Sequence, residues 1–172
     1  PAVYGFEAST YVRTVRMLLA EKGAEYTLVP VDLMTGENTR PEHLARHPFG
    51  KIPVLEQGAK RLYETSAITR YLNDVLPGKS LVPESPMHLA RMDMSMAIPD
   101  SYGYGAMIGL AAQHLFPDFV GGKSEEMRRD CLAKSRTVLG EQMKLRGPGP
   151  WIAGEELSLA DLFLAPACFY VS

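Results

Sequence analysis

Hydrophobic positions along the first 75 residues switch repeatedly between a period of two and a period near 3.6, which predicts alternating strands and helices. Val3-Tyr4-Gly5-Phe6 reads as a short strand. From Ser9 onward Val12, Val15, Leu18 and Leu19 recur at helical spacing, with Arg13, Arg16, Glu21 and Lys22 at polar positions and Gly23 as the stop. Tyr26 to Val31 forms a second strand, and the strand, helix, strand order implies a parallel pair joined by a right-handed crossover. A polar stretch from Thr35 to Pro41 leads into a short helix around Glu42 to Arg46. Pro53 to Glu56, Gln57 to Lys60 and Arg61 to Tyr63 then read as strand, turn and strand. Thr65 opens another helix, with Ile68, Tyr71, Leu72 and Val75 on one face.

Strand signals cease at Pro77-Gly78-Lys79-Ser80 and Pro83-Glu84-Ser85-Pro86, the expected domain boundary. Three helical stretches follow, Met87 to Leu115, Ser124 to Leu145 and Ser158 to Tyr170. The middle one carries Met127, Cys131, Leu132, Ser135, Val138 and Leu139 along a mostly apolar stripe. Residues 1–78 thus form one domain, 79–87 a linker and 88–172 an all-helical domain. Ahead of the last helix, Ser158 is expected to bond the N–H of Asp161 while the Asp161 carboxylate reaches back. No repeat or low-complexity tract interrupts the pattern.

Composition narrows the function classes. With 172 residues, 46% of them hydrophobic, the chain can bury a sizeable core. A formal net charge of −2, with both signs interspersed, supplies no electrostatic reason to expect nucleic acid. No apolar run approaches the roughly 18 residues of a membrane span, and the N-terminus lacks a basic region followed by an apolar signal core. The expectation is a cytoplasmic protein without membrane contact. Cys131 and Cys168 lie far apart in apolar helical contexts, which supports buried structural thiols over a disulfide, a CxxC pair or a metal site. No metal is expected.

Three places carry candidate chemistry. Ile52-Pro53 stands at a strand start, where a trans bond gives an ordinary strand opening. A cis bond, which only proline makes cheap, turns the backbone of Ile52 toward a ligand. At Glu64-Thr65, a Thr65 hydroxyl at the N-cap satisfies an orphan N–H, while the remaining N–H groups and positive helix end favour a carboxylate. Glu64 beside them suits an ammonium, and an α-carbon bearing both charges fits the pair. Ser9 lies between the first strand and the first helix, so its hydroxyl stands at a positive helix end. It either caps the helix or donates to a thiolate; Val12 occupies the position where a capping box needs Glu or Gln. A thiol of ordinary pKa near 8.5 is only a few per cent ionised at neutral pH, and one hydroxyl donor plus the helix end lowers that pKa by roughly one to two units. Tyr4, Thr10 and Tyr11 are competing hydroxyls.

These places carry a family resemblance. Ala8-Ser9-Thr10 ahead of an Arg-bearing helix, His47-Pro48-Phe49-Gly50-Lys51-Ile52-Pro53-Val54-Leu55, and Tyr63-Glu64-Thr65-Ser66-Ala67-Ile68 together resemble a cytosolic glutathione S-transferase. The serine and the Pro-Phe-Gly string are most similar to the phi and theta-like groups. Gly149-Pro150-Trp151-Ile152-Ala153-Gly154, followed by Ser158-Leu159-Ala160-Asp161, extends the resemblance over nearly the whole chain.

The resemblance implies an α/β plus all-α architecture, a thioredoxin-like N-terminal domain with a mixed four-stranded sheet followed by an all-helical domain. It implies that Ser9 donates to the sulfur of glutathione, that the backbone of Ile52 beside cis-Pro53 pairs with the cysteinyl unit, and that Glu64 and Thr65 hold the γ-glutamyl end. Asn38-Thr39 stands where phi-type members often place a His-Lys pair, so the glycyl carboxylate is expected near Asn38 and Lys51. The beta-like cysteine falls on Ser9 and the zeta-like cysteine on Tyr11, which removes support for mixed-disulfide chemistry and for isomerisation. The implied activity is attack of the glutathione thiolate on a small hydrophobic electrophile by a homodimeric enzyme.

Met87, Met92, Met94, Met96 and Met107, with Ile98, Tyr102, Tyr104 and Ile108, are expected mainly in core and dimer packing, and residues near Tyr102 are candidates for the electrophile pocket. Family members usually continue with further helices, so the helical domain is expected to be incomplete at Ser172. The alternative is a non-catalytic glutathione-binding or assembly module of the same fold. A thiol-disulfide oxidoreductase is disfavoured, since no cysteine lies near the first helix.

Overall fold

The computed structural model describes residues 1–169. Packing divides the chain into two compact units, Pro1 to Ser80 and Leu81 onward. The expected helix end at Tyr170 and the chain end at Ser172 lie outside the described residues.

The first unit follows the order β1 (Ala2–Gly5), α1 (Thr10–Glu21), β2 (Thr27–Pro30), α2 (Pro41–Leu44), β3 (Val54–Gln57), β4 (Lys60–Tyr63) and α3 (Thr65–Val75). Its sheet has strand order β2-β1-β3-β4, with β1 parallel to β2 and both remaining pairs antiparallel. The parallel first pair is the arrangement expected from the crossover helix between them. Pro30 is tolerated because β2 is an edge strand.

Strand alternation sorts the side chains of β1. Val3 and Gly5 face the buried side, and Gly5 lies so close to α1 that a Cβ there would collide with Cγ2 of Val12. Only glycine permits that approach. On the other face, Tyr4 donates its hydroxyl to Oε2 of Glu56 at 2.9 Å, and the Arg46 guanidinium lies 4.5 Å over its ring. Val12, Val15, Leu18 and Leu19 of α1 join Val3, Val54, Leu55, Ile68 and Leu72 in a core at most 1% exposed. This is the 3.6-residue stripe of the sequence made physical. Of the apolar face expected for α3, Ile68 and Leu72 are buried whereas Val75 is exposed.

The second unit is helical, with α4 (Pro86–Ile98), α5 (Tyr104–Leu115), α6 (Glu125–Leu145) and α7 (Leu159–Phe169). The single stretch expected from Met87 to Leu115 is interrupted by a π-helical turn, Pro99–Gly103. Pro99 keeps helical dihedrals but has no N–H to give the carbonyl of Ser95, four residues earlier. Gln142 of α6 supplies the missing donor, its Nε2 lying 2.7 Å from Ser95 O. Met92, Met96 and Met107 are buried as expected of core residues, whereas Met87, Met94 and Tyr102 are exposed.

Two expectations for this unit need correction. Cys131 and Cys168 are free thiols and only half-buried, because their helices are incompletely covered at those positions. At the start of α7 the Asp161 carboxylate does reach back, accepting from Ser158 N at 2.9 Å. The Ser158 hydroxyl, however, donates to that same carboxylate at 2.9 Å instead of accepting from Asp161 N, and the other carboxylate oxygen takes Ile152 N at 2.9 Å. One acidic side chain therefore fixes both the helix start and the segment before it.

Candidate functional site

Sheet register brings the candidate residues of the first unit to one end of the sheet. Tyr4 of β1 is opposite Val54 of β3, and Val54 is opposite Tyr63 of β4. Because β3 runs against both neighbours, its N-terminal end lies beside the C-terminal ends of β1 and β4. Ser9 follows β1, Ile52 and Pro53 precede β3, and Glu64 follows β4, so all leave or reach the sheet at the same edge. Gly5 pairs with Pro30 at that edge too, so the long segment carrying Asn38 and Lys51 departs from it.

Ser9 is the N-cap of α1, its oxygen accepting from Val12 N at 3.4 Å. A hydroxyl has one proton to give and two lone pairs, so this capping leaves the Ser9 O–H free to donate elsewhere. The two readings of Ser9 are therefore compatible. Two competing hydroxyls are otherwise engaged or enclosed: Tyr4 donates to Glu56, and Thr10 is buried within the first turn of α1, with its Oγ1 lacking a hydrogen-bond partner. Tyr11 is half-buried.

The Ile52-Pro53 peptide bond is cis. Pairing of β3 with both neighbours begins at Val54, which leaves Ile52 outside the ladders. The loop leading to it is tethered at three successive residues. Phe49 N donates to Nδ1 of His47 at 3.3 Å, Asn38 Nδ2 donates to Gly50 O at 2.8 Å, and His43 Nε2 lies 2.8 Å from Lys51 O, which can only accept. Gly50 has φ 60°, and a Cβ there would stand 2.9 Å from Asn38 O. Asn38 is thus a loop clamp that spends one of its two side-chain N–H donors on Gly50 O. Both histidines are buried, His43 within α2 and His47 three residues beyond its end, where its N–H donates to His43 O at 2.8 Å.

At the third strand end the helix begins differently from the expectation. Thr65 is the first residue of α3 and Glu64 is its N-cap, with no side-chain cap bond. The correction follows from the backbone: Glu64 has φ 69° and ψ 117°, the sole positive φ outside glycine among the described residues. Such a conformation costs on the order of 1–3 kcal/mol and marks functional positions. The first intrahelical bond runs from Ile68 N to Glu64 O, leaving the N–H groups of Thr65, Ser66 and Ala67 at the positive end of the helix. The Glu64 carboxylate is exposed, with its Oε1 4.0 Å from His47 Nε2. Burial holds the His47 imidazole below the ordinary histidine range, outweighing the opposite pull of the Glu64 charge.

Comparison with known proteins places this geometry. Residues 2–74 match the family model "Glutathione S-transferase, N-terminal domain". Glutathione S-transferase 4 of Zea mays is 32% identical over 161 residues, which cover 93% of this chain and 72% of the maize protein. The chain belongs to the glutathione S-transferase family. It is phi-like, and the crystal structure of glutathione transferase F7 from Populus trichocarpa matches it with a TM-score of 0.85 at 31% identity, over 99% of this chain and 82% of the poplar chain. A structure of glutathione S-transferase-I bound with lactoylglutathione matches at a TM-score of 0.84 and 27% identity, over 99% and 82% of the respective chains.

The four-stranded mixed sheet is the thioredoxin-like N-terminal domain of this transferase family, and the part that follows it is helical. Among the described residues no group of three or more His, Cys, Asp or Glu side chains could hold a metal ion, and no helix is long and apolar enough to cross a membrane. In this glutathione S-transferase, the sequence suggests Ser9, Asn38, Lys51, Ile52, Pro53, Glu64 and Thr65 as one site and gives no individual part to His43 and His47. Their place on either side of the end of α2, just before the Pro-Phe-Gly string, was the available signal.

Proposed function

We propose that this glutathione transferase binds glutathione along the sheet edge described above and directs its thiolate at small hydrophobic electrophiles. Ser9 donates to the sulfur while its oxygen continues to cap α1. The backbone of Ile52, outside the strand ladders beside cis-Pro53, pairs with the cysteinyl unit. The start of α3 receives the γ-glutamyl carboxylate on its N–H groups, Thr65 among them, and Glu64 receives the ammonium. Lys51 supplies charge for the glycyl carboxylate; Asn38, with one side-chain N–H given to Gly50 O, shapes that end of the site through the loop it clamps and has its second N–H to offer.

The observation that carries this reading is the beginning of α3: a strained acidic N-cap and open N–H groups provide adjacent places for an ammonium and a carboxylate. The glutathione-binding domain comprises residues 1–78 and the helical domain 88–172. The enzyme works as a cytoplasmic homodimer.

Catalysis then needs only positioning and a sulfur kept ionised at neutral pH. Replacing Ser9 with Ala is expected to lower the rate of glutathione conjugation to an aryl halide about tenfold or more near pH 7, as the thiol pKa returns toward roughly 8.5. The gap between the two proteins should narrow as pH rises past that value, because both sulfurs are then ionised. A Ser9→Ala rate equal to wild type at pH 7 refutes the role of Ser9.

A further inference from the structure

His47 joins two parts of the site that the sequence separates. Its ring is 2% exposed. The backbone N–H of Phe49 can only donate, so the Nδ1 it meets at 3.3 Å is unprotonated and the proton of the neutral ring sits on Nε2. Nε2 is the atom 4.0 Å from Oε1 of Glu64. The ring packs against Tyr63, centroids 4.8 Å apart and planes tilted by 40°, and meets Phe49 in a T-shaped contact at 6.1 Å. Among the described residues, the neutral His47 ring is the neighbour within 4.0 Å of the Glu64 carboxylate.

We propose that His47 is a positioning residue for the glutamyl end of glutathione: Nε2–H orients the Glu64 carboxylate toward the incoming ammonium, while Nδ1 holds the turn ahead of Lys51. The proposal rests on the reading that Glu64 receives that ammonium. At 4.0 Å the contact is a charge and dipole attraction, not a hydrogen bond, and it leaves the carboxylate lone pairs available to the ligand. Neutrality of the ring matters twice. A proton on Nδ1 would strip Phe49 N–H of its acceptor, and a cationic ring would offset the Glu64 charge that attracts the ammonium. The titratable groups that act on the ring are Glu64, which favours protonation, and His43 and Lys51, which with burial oppose it.

Two isosteres separate the two nitrogens. In His47→Asn the side-chain oxygen takes the place of Nδ1 and keeps the Phe49 bond but removes the Nε2–H. In His47→Gln a donor reaches the Nε2 position and the Phe49 acceptor is lost. Glutathione binding measured by calorimetry should weaken about five- to tenfold in His47→Asn, the scale of one lost polar contact, with Tm near that of wild type. Under saturating electrophile the same variant should raise KM for glutathione and leave kcat within about twofold, since the contact is remote from sulfur. His47→Gln should lower Tm more than His47→Asn does. Glutaryl-cysteinylglycine, which lacks the ammonium, should bind wild type and His47→Asn equally.

A double-mutant cycle with Glu64→Gln is the deciding measurement. Losses that do not add support the coupling, and fully additive losses overturn it while leaving the Glu64 reading intact. If Glu64→Gln alone leaves glutathione affinity unchanged, the underlying reading and the proposal fall together. Wild-type affinity should also decline as pH falls through the lowered range of the His47 imidazole, with a flatter profile in His47→Asn; parallel profiles would overturn the proposal.

Discussion

Glu64, in the role proposed for it, would serve a site against the interest of the fold. Its backbone sits at φ 69°, a region that glycine adopts freely and other residues rarely enter. Its carboxylate is exposed and contributes little packing. Replacing Glu64 with Gly should therefore raise stability by about 1 kcal/mol, the relieved strain less the extra freedom of the unfolded chain, while glutathione affinity drops. Glu64→Ala should lose affinity without the gain in stability. Denaturant titration and calorimetry on the two variants check both statements, and a Gly variant no more stable than the Ala variant refutes the strain. Nothing in Tyr63-Glu64-Thr65-Ser66 announces this conformation, because a positive φ is announced by glycine or asparagine. The chemical suitability of Glu64 and Thr65 is legible in the sequence; their backbone is not, and the cap falls on Glu64, one position before the threonine that looks made for it.

At the scale of elements, the helix, π turn and helix from Pro86 to Leu115 depend on a side chain from another helix. Gln142 is 1% exposed; its Nε2 satisfies Ser95 O, while its Oε1 has no partner among the described groups. Gln142→Leu should cost about 1–3 kcal/mol, the penalty for an orphaned buried carbonyl. In a Pro99→Ala background the cost should shrink, since the substituted residue regains an N–H for that carbonyl. Urea unfolding of the four proteins measures the difference, and equal costs in both backgrounds would refute the compensation. Helical periodicity across Met87 to Leu115 is readable, and Pro99 flags an interruption. The rescue by Gln142, 47 residues away, is unreadable, because it depends on tertiary packing. The same limit explains Cys131 and Cys168, whose apolar surroundings in sequence do not translate into complete burial.

For the whole molecule, protonation couples to folding with one sign at two places. Burial raises the Glu56 carboxyl, but hydrogen bonds from Tyr4 and Arg61 and the charges of Arg61 and Arg46 outweigh it and hold the group below its usual range. A carboxyl depressed on folding contributes stability that is complete above its unfolded value near 4.5 and lost as pH falls through the folded one. His47, depressed by burial, is held neutral in the fold, so acidification below about 6.5 also favours the unfolded chain, which takes up that proton more readily. Thermal melts should therefore show stability declining in two stages on acidification. Glu56→Gln should be less stable than wild type at pH 7 by about 1–2 kcal/mol and indistinguishable from it well below pH 4. A constant difference across that range would refute the assignment. Bound glutathione at a hundred times its Kd should add about 2.7 kcal/mol. The order of strands and helices and the parallel first pair are legible from periodicity and connection length. Register is not, and register is what gathers Ser9, Ile52 and Glu64.

The three tethers on Phe49, Gly50 and Lys51 have a consequence for the thermodynamics of ligand capture. Because consecutive peptide units are pinned by His47, Asn38 and His43, all groups of the chain itself, the loop has little conformational freedom to surrender on association. At the proposed site glutathione would meet a mould already set, and the ordering penalty of the encounter would fall on the flexible tripeptide and hardly at all on the protein.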